Sequence, residues 1–183
     1  MQIKTITAPL TKTVLTDLRA GDNVLISGVI YTARDAAHKK LVELLAKGEN
    51  LPVDLKGQII YYVGPAPAKP GQAIGSAGPT TSGRMDPYTP ALLKYGVKAV
   101  VGKGVRDKTT RDAFVTYKGV YLGATGGAGA LLAKTIKEAE IVAYPELGPE
   151  AVCRLVVEEF PVTVVNDVYG NDLYEEGRRK YAQ

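Results

Sequence analysis

A chain of 183 residues, 45% of them hydrophobic and 23% charged, is long enough for a real core, and we expect a single domain over residues 1–183. Its net charge of +4 comes from scattered basic residues, which does not favour a nucleic-acid partner, and no apolar run predicts a membrane span. One cysteine (Cys153) and one histidine (His38) exclude an internal disulfide, a Cys/His zinc site and an iron–sulfur cluster held within this chain, and favour a cytoplasmic protein.

The first part of the chain alternates between β-rich and helical patterns. Residues 3–7 and 24–32 are β-rich, and Thr32 followed by Asp35 matches a capping box that would open a helix. Apolar residues then recur at helical spacing until Gly48. A further strand is predicted at 59–63.

The stretch 64–79 is dense in Pro, Gly and Ala and has two interpretations. It is either a low-complexity linker or an ordered active-site loop, because long loops inside compact domains are usually functional when they are ordered. A short helix is predicted from Asp86 to Tyr95 and a buried strand at 97–101.

The second half continues the alternation. We expect a helix at 107–117, a strand at 119–122, and a glycine-rich turn that enters a helix reaching about residue 137. A short strand at 141–144 follows, then two β runs separated by Pro161 and a polar tail. The alternation predicts an α/β layered fold with a mostly parallel central sheet.

Residues 78–86 carry the most information about function. They are Gly78-Pro79-Thr80-Thr81-Ser82-Gly83-Arg84-Met85-Asp86. Two glycines and a proline interrupt any regular strand or helix, so the segment is a loop in which hydroxyls, free backbone N–H groups and a guanidinium can converge on an anion. The alternative is a capped turn whose hydroxyls satisfy local backbone groups.

Other motifs carry weaker signals. The glycine-rich segment 123–129 lacks the third glycine of a dinucleotide-binding fingerprint, and the sequence around Lys103 lacks the spacing of a phosphate loop. No nucleophile elbow accompanies His38, which we interpret as a solvated or structural residue, and Cys153 lies in an apolar β run as a core residue.

Three cations lie where a strand or loop meets the next element: Arg34, Arg84 and Lys103. Such positions converge beyond the carboxyl ends of strands in α/β folds. Two arginines and a lysine around a hydroxyl-rich loop would suit a small dicarboxylate, since each arginine can bind a carboxylate through two parallel hydrogen bonds. The alternative is three surface cations in unrelated places.

The order and spacing of these motifs resemble a known family, the β-subunit (C-terminal) domain of iron–sulfur hydro-lyases, which comprises class I fumarate hydratases and L-tartrate dehydratases. The resemblance covers nearly the whole chain and is carried by Thr32-Ala33-Arg34-Asp35-Ala36-Ala37-His38, by residues 78–86, by Gly102-Lys103-Gly104, by Gly123-Ala124-Thr125-Gly126-Gly127-Ala128, and by Phe160-Pro161-Val162 with Asn166-Asp167. It implies a swivelling β/α/β domain and the β subunit of a two-subunit fumarate hydratase, or of an L-tartrate dehydratase.

The resemblance also implies a division of labour between subunits. A separate α subunit would hold a [4Fe–4S] cluster through three cysteines, in a heterodimer or a doubled heterotetramer. This chain would bind the dicarboxylate through Arg34, Gly83, Arg84 and Lys103 together with two catalytic hydroxyl residues, Thr80 and Thr81. A rival from another class is a stand-alone anion-binding module without catalysis.

Overall fold

The computed structural model describes residues 3–182 and has a mixed α/β fold. The strands are β1 (Ile3–Ala8), β2 (Asn23–Thr32), β3 (Ile59–Tyr61), β4 (Ala99–Gly102), β5 (Val120–Gly123), β6 (Ile136–Ala143) and β7 (Val152–Asn166). The α-helices are α1 (Lys12–Asp17), α2 (Asp35–Ala46), α3 (Thr89–Tyr95), α4 (Lys108–Tyr117), α5 (Gly129–Lys134) and α6 (Leu173–Tyr181). Short 3₁₀ segments lie at Ser82–Met85 and Pro145–Glu150. Within residues 3–182, no helix has the length and apolar character needed to cross a membrane.

The strands form one sheet in the order β1-β2-β3-β4-β5-β7-β6. Strands β1 to β5 are parallel neighbours, whereas β7 runs antiparallel to β2, β5 and β6. Because β7 pairs with both β2 and β5, the pairings from β2 through β5 and β7 close into a ring. Because β2 to β5 are parallel, their carboxyl ends lie at one common edge of the sheet, which is where ligands bind in α/β sheets.

A hydrophobic core covers each face of the sheet. Alternate residues of a strand point to opposite faces, so Tyr61 and Val101 lie in one core while Ile60 and Val100 lie in the other with residues of α2, α3 and α4. All four residues of β4 are buried, as expected for a parallel strand covered on both sides. The mixed α/β fold with a mostly parallel sheet confirms the coarse prediction.

The predicted capping box at the start of α2 is wrong. The residue before the helix is Arg34, which makes no side-chain cap. The Thr32 hydroxyl is buried instead, where it donates to the Ala151 carbonyl at 3.2 Å and accepts from the Cys153 N–H at 2.9 Å. Thr32 therefore fastens the end of β2 to the start of β7 and has no role in the helix.

Three predictions for the second half also need correction. The glycine-rich turn leads into a helix that ends at Lys134, and residues 136–143 form strand β6. Pro161 does not divide two strands, because β7 is one strand whose irregular geometry lies at Glu159, which has φ of +53° opposite a register shift in β2. The polar tail forms helix α6, capped by Asp172 with acidic residues first and basic residues last.

Candidate functional site

The ends of the parallel strands are tied together at one edge of the sheet. Ala33, just beyond β2, donates its N–H to the Tyr61 carbonyl at 3.1 Å, and Tyr62, just beyond β3, donates to the Val101 carbonyl at 2.8 Å. These bonds continue the ladders past the strands. The segments that leave this edge therefore start from fixed positions.

The hydroxyl-rich segment inserts between the ends of β3 and β4. Thr80 donates its N–H to the Tyr62 carbonyl at 2.7 Å and accepts from the Lys103 N–H at 3.2 Å, and Ser82 donates to the Lys103 carbonyl at 2.8 Å. Thr81 and Lys103 form a parallel bridge. Within residues 3–182 the hydroxyls of Thr80 and Thr81 have no hydrogen bond, so they are not used as local caps.

Glycine at position 102 is required by this insertion. A Cβ at Gly102 would overlap the Ser82 hydroxyl and lie 2.9 Å from Cδ2 of Tyr62 and 3.2 Å from the Thr80 carbonyl oxygen. The missing side chain therefore lets the segment approach β4 closely.

A buried ion pair forms the floor beneath this segment. Nε of Arg106 donates to Oδ1 of Asp86 at 2.6 Å, and Nη2 donates to the Thr89 hydroxyl at 2.8 Å. The Tyr62 hydroxyl lies 2.9 Å from the same Thr89 oxygen, and Oδ2 of Asp86 accepts from the Asp107 N–H at 2.8 Å. Because every charged atom here has a partner, the network fixes the far end of residues 80–86.

Arg34 and Arg84, the two arginines predicted to bind a dicarboxylate and called the clamp arginines below, meet at one carboxylate. Nε of Arg84 donates to Oδ1 of Asp35 at 2.9 Å, and Nη2 of Arg34 lies 3.7 Å from Oδ2 of the same residue. Nη2 of Arg34 also lies 3.6 Å from Oε1 of Glu150. The Arg34 side chain crosses Gly64 so closely that a Cβ there would lie 3.1 Å from its Cδ.

Lys103 and Gly83 complete the predicted set. The exposed Lys103 side chain runs along Gly126, with its Cδ 3.5 Å from where a Cβ would stand, and it forms no ion pair within residues 3–182. Gly83 is exposed in the 3₁₀ segment that follows Thr81. The structure thus brings Arg34 to Arg84 and Thr81 to Lys103, with unpaired hydroxyls and an unpaired ammonium at one edge. Such an edge can bind a small anion with more than one carboxylate.

His38 is a structural residue. It is fully buried, its Nδ1 lies 2.9 Å from the Arg34 carbonyl oxygen, and its ring meets the edge of Tyr62 at 5.2 Å between centroids. Burial lowers the pKa of His38 to about 4, and the nearby Arg106 adds to that effect. The ring is therefore neutral near pH 7 and helps to hold the start of α2.

Several residues of the site were not predicted from the sequence. Asp35 was assigned only to a helix cap, and Asp86 only to a helix start. Arg106 and Glu150 carry no local signal, because their partners are distant in the chain. Only the spatial arrangement identifies these four.

The residues that the structure describes do not fit a metal cluster. Among residues 3–182 no group of His, Cys, Asp and Glu is placed to hold a metal ion. Cys153 is half-buried against the core, and burial raises the pKa of its thiol.

Comparisons with known proteins give the family. The sequence model of a protein family described as Fumarase C-terminus matches residues 1–177. Fumarate hydratase 2 of Leishmania major is 44% identical over 162 residues, or 87% of this chain and 28% of that protein. The anaerobic class I fumarate hydratase of Escherichia coli is 44% identical over 153 residues, or 82% and 28% respectively.

A relative of similar size also matches. A Methanocaldococcus jannaschii protein provisionally named L(+)-tartrate dehydratase subunit beta is 44% identical over 177 residues, which cover 93% of this chain and 91% of that protein. The chain therefore spans most of this relative but little more than a quarter of the fumarate hydratases. With nearly its whole length matched, the chain belongs to the Fumarase C-terminus family.

Proposed function

We propose that this chain is the β subunit of a two-subunit fumarate hydratase, which adds water reversibly to fumarate to give malate and is active only with an α subunit. One observation carries the proposal: Arg34 and Arg84 meet at Asp35, at the same sheet edge where Thr81 pairs with Lys103. A cationic edge with free hydroxyls, in a chain of the Fumarase C-terminus family, suits a dicarboxylate.

The cations bind the substrate in this proposal. Arg34 and Arg84 bind its carboxylates, Lys103 adds positive charge, and Gly83 leaves the backbone open to close approach. When a proton leaves the carbon beside a carboxylate of malate, negative charge builds up on that carboxylate. Fixed cations aimed at this charge stabilise it more than they stabilise the bound substrate, which is how such a clamp accelerates the reaction.

The hydroxyls act at the reacting end. Hydration adds a hydroxyl to one alkene carbon and a proton to the other, so a group must carry that proton. We assign the transfer to Thr80, with Thr81 beside it. A threonine hydroxyl is a weak base unless a neighbouring cation favours its ionised form. We assign that role to Lys103, whose backbone pairs with this segment.

A cluster-bearing partner completes the proposal. The resemblance implies a [4Fe–4S] cluster, which this chain's residues do not fit, so we assign it to the α subunit. The fumarate hydratases of Leishmania major and Escherichia coli named above are more than three times as long as the aligned region, which leaves room for such a part. We propose a heterodimer or heterotetramer in the cytoplasm, with residues 1–183 as one swivelling domain that closes over the α subunit.

L-tartrate dehydratase β subunit is a second candidate. The relative from Methanocaldococcus jannaschii supports it, because the alignment covers 91% of a protein that carries this name. The same clamp would then bind a more hydroxylated diacid.

Reconstitution tests these proposals. The chain is co-purified anaerobically with the α-subunit candidate, and turnover is measured on fumarate, malate and both tartrates. If the pair turns over fumarate and malate, and neither subunit does so alone, the result supports fumarate hydratase. Turnover of one tartrate by the pair supports the second candidate. No turnover of any diacid by a brown, cluster-loaded pair would favour a stand-alone anion-binding module. Activity of this chain alone, without iron, would contradict the two-subunit model.

A further inference from the structure

We propose that Asp35 is a positioning residue of the hydro-lyase, which sets the orientation of both clamp arginines. This inference rests on the proposed function and adds to it a residue that touches no substrate.

The Asp35 carboxylate is the link between two cations that otherwise repel each other. Its Oδ1 accepts a 2.9 Å hydrogen bond from Nε of Arg84, while its Oδ2 is buried and lies 3.7 Å from Nη2 of Arg34. Asp35 is the first residue of α2, and the helix begins there with the His38 N–H donating to the Arg34 carbonyl at 2.8 Å. The carboxylate therefore stands on a rigid element.

The hydrogen bond to Arg84 decides which edge of its guanidinium can bind a substrate. Arg84 is half-exposed, and its long side chain would otherwise sample many rotamers. With Nε engaged by Asp35, the terminal Nη1 and Nη2 groups are left to bind a carboxylate in the forked geometry. Asp35 thus selects one orientation of the fork.

Glu150 has a lesser role, although it also contacts an arginine. Its Oε1 lies 3.6 Å from Nη2 of Arg34, and its Oε2 accepts from the Ala36 N–H at 2.9 Å. Nε of Arg34 is buried and has no hydrogen-bond partner among residues 3–182. Glu150 therefore supports one arginine, whereas Asp35 contacts both.

A negative charge in an anion site has an opposite effect as well, because Asp35 competes electrostatically with the substrate. The two effects leave different kinetic signatures. Loss of positioning lowers kcat, since a misplaced substrate reaches the transition state less often. Loss of the Asp35 charge that competes with the substrate for the arginines lowers KM and leaves kcat unchanged.

The first test is Asp35→Asn in the complex with the α subunit. We expect kcat to fall about tenfold or more, as misplacement of a reacting group costs up to about 100-fold, with KM unchanged or lower. The matched control is Asp112→Asn, which removes the same charge from an exposed pair with Lys108 on α4. A lower KM with unchanged kcat, or a higher KM with unchanged kcat, would overturn the proposal.

A double-mutant cycle separates positioning from a general structural effect. If Asp35 acts through Arg84, then Asp35→Asn should lower kcat less in an Arg84→Lys background than in the native background. An equal loss in both backgrounds shows that Asp35 does not act through Arg84. Thermal unfolding of each variant checks that the active fraction is the same.

The third test does not require hydratase activity. In the whole chain, the Nε–H resonance of Arg84, assigned by its loss in Arg84→Lys, should exchange with solvent more slowly than that of the exposed Arg178. Asp35→Ala removes the acceptor of this hydrogen bond and should abolish the protection. Equal exchange rates at Arg84 and Arg178 in the native chain overturn the Asp35 proposal. If the Arg84 Nε–H exchanges slowly but the chain gives no hydratase activity with any α subunit, only the fumarate hydratase assignment is overturned.

Discussion

Nε of Arg106 donates to Oδ1 of Asp86 at 2.6 Å, and both residues are buried. The other Asp86 oxygen accepts from the Asp107 N–H, so one carboxylate joins the end of the hydroxyl-rich segment to the start of α4. Burial lowers the pKa of Arg106, but Tyr62 and Asp86 raise it by more, so the guanidinium remains charged. A buried ion pair of this kind is costly to break from one side.

Asp86→Asn should therefore lower the free energy of unfolding by about 3 kcal/mol, because it leaves the Arg106 charge buried without its counter-ion. Chemical denaturation of the chain measures this. The control Asp112→Asn breaks an exposed pair on α4 and should cost less than about 1 kcal/mol. Equal losses in the two variants would mean that the Asp86 pair is open to water in solution.

Gly102→Ala should destabilise the fold by about 2 kcal/mol or more, because the new methyl group forces the Ser82 segment off β4. Denaturant unfolding gives the magnitude. In the control Gly177→Ala, the added methyl group meets nothing within 4 Å on helix α6. That change should be neutral or stabilise by up to about 1 kcal/mol. If Gly102→Ala changes the free energy of unfolding as little as Gly177→Ala does, the segment that contains Ser82 is not packed against β4.

His38 predicts a particular pH dependence of stability. Its pKa is about 4 in the folded chain because of burial, against 6.5 when unfolded, so the unfolded state binds the extra proton between these values. Native stability should therefore fall as the pH falls from 6.5 to 4. Between pH 7 and pH 5 the native chain should lose about 2 kcal/mol more than His38→Gln, which has no titrating ring. If the native chain and His38→Gln lose the same stability between pH 7 and pH 5, His38 is not a buried neutral histidine.

Thr80→Val should lower kcat of the complex by roughly 100-fold or more, since it removes the proposed proton-transfer hydroxyl. The backbone N–H and carbonyl that pair Thr80 with Tyr62 and Lys103 are retained, so the fold and KM should change little. Steady-state kinetics on malate gives both constants, with Thr109→Val on the exposed side of α4 as the control. Turnover preserved in Thr80→Val would remove the assignment.

The coarse fold was predictable because its elements carry strong local signals. The run at β4 is apolar throughout, and α2 has its apolar residues at helical spacing before Gly48. The capping-box pattern at Thr32 failed because tertiary bonds to Ala151 and Cys153 outweighed the local cap. The sequence predicts a strand break at Pro161 because no local pattern reveals the bulge at Glu159 that lets β7 continue through the proline.

The candidate site was predictable only in part. Parallel strands end at one edge, so residues just beyond them, such as Arg34 and Lys103, could be expected near one another. Which charges meet there depends on contacts between residues far apart in sequence. The Arg84–Asp35 bond spans 49 positions and the Arg106–Asp86 pair 20, and no local pattern encodes either.

Strand β7 lies far along the chain from the proposed clamp, yet it closes the ring by pairing with both β2 and β5. The clamp residues lie between positions 34 and 103. Removal of residues 152–183 would leave every one of them in the chain but would free the edges of β2 and β5 that pair with β7. We therefore expect the last strand to be as necessary to the proposed substrate binding as the segments that would touch the substrate.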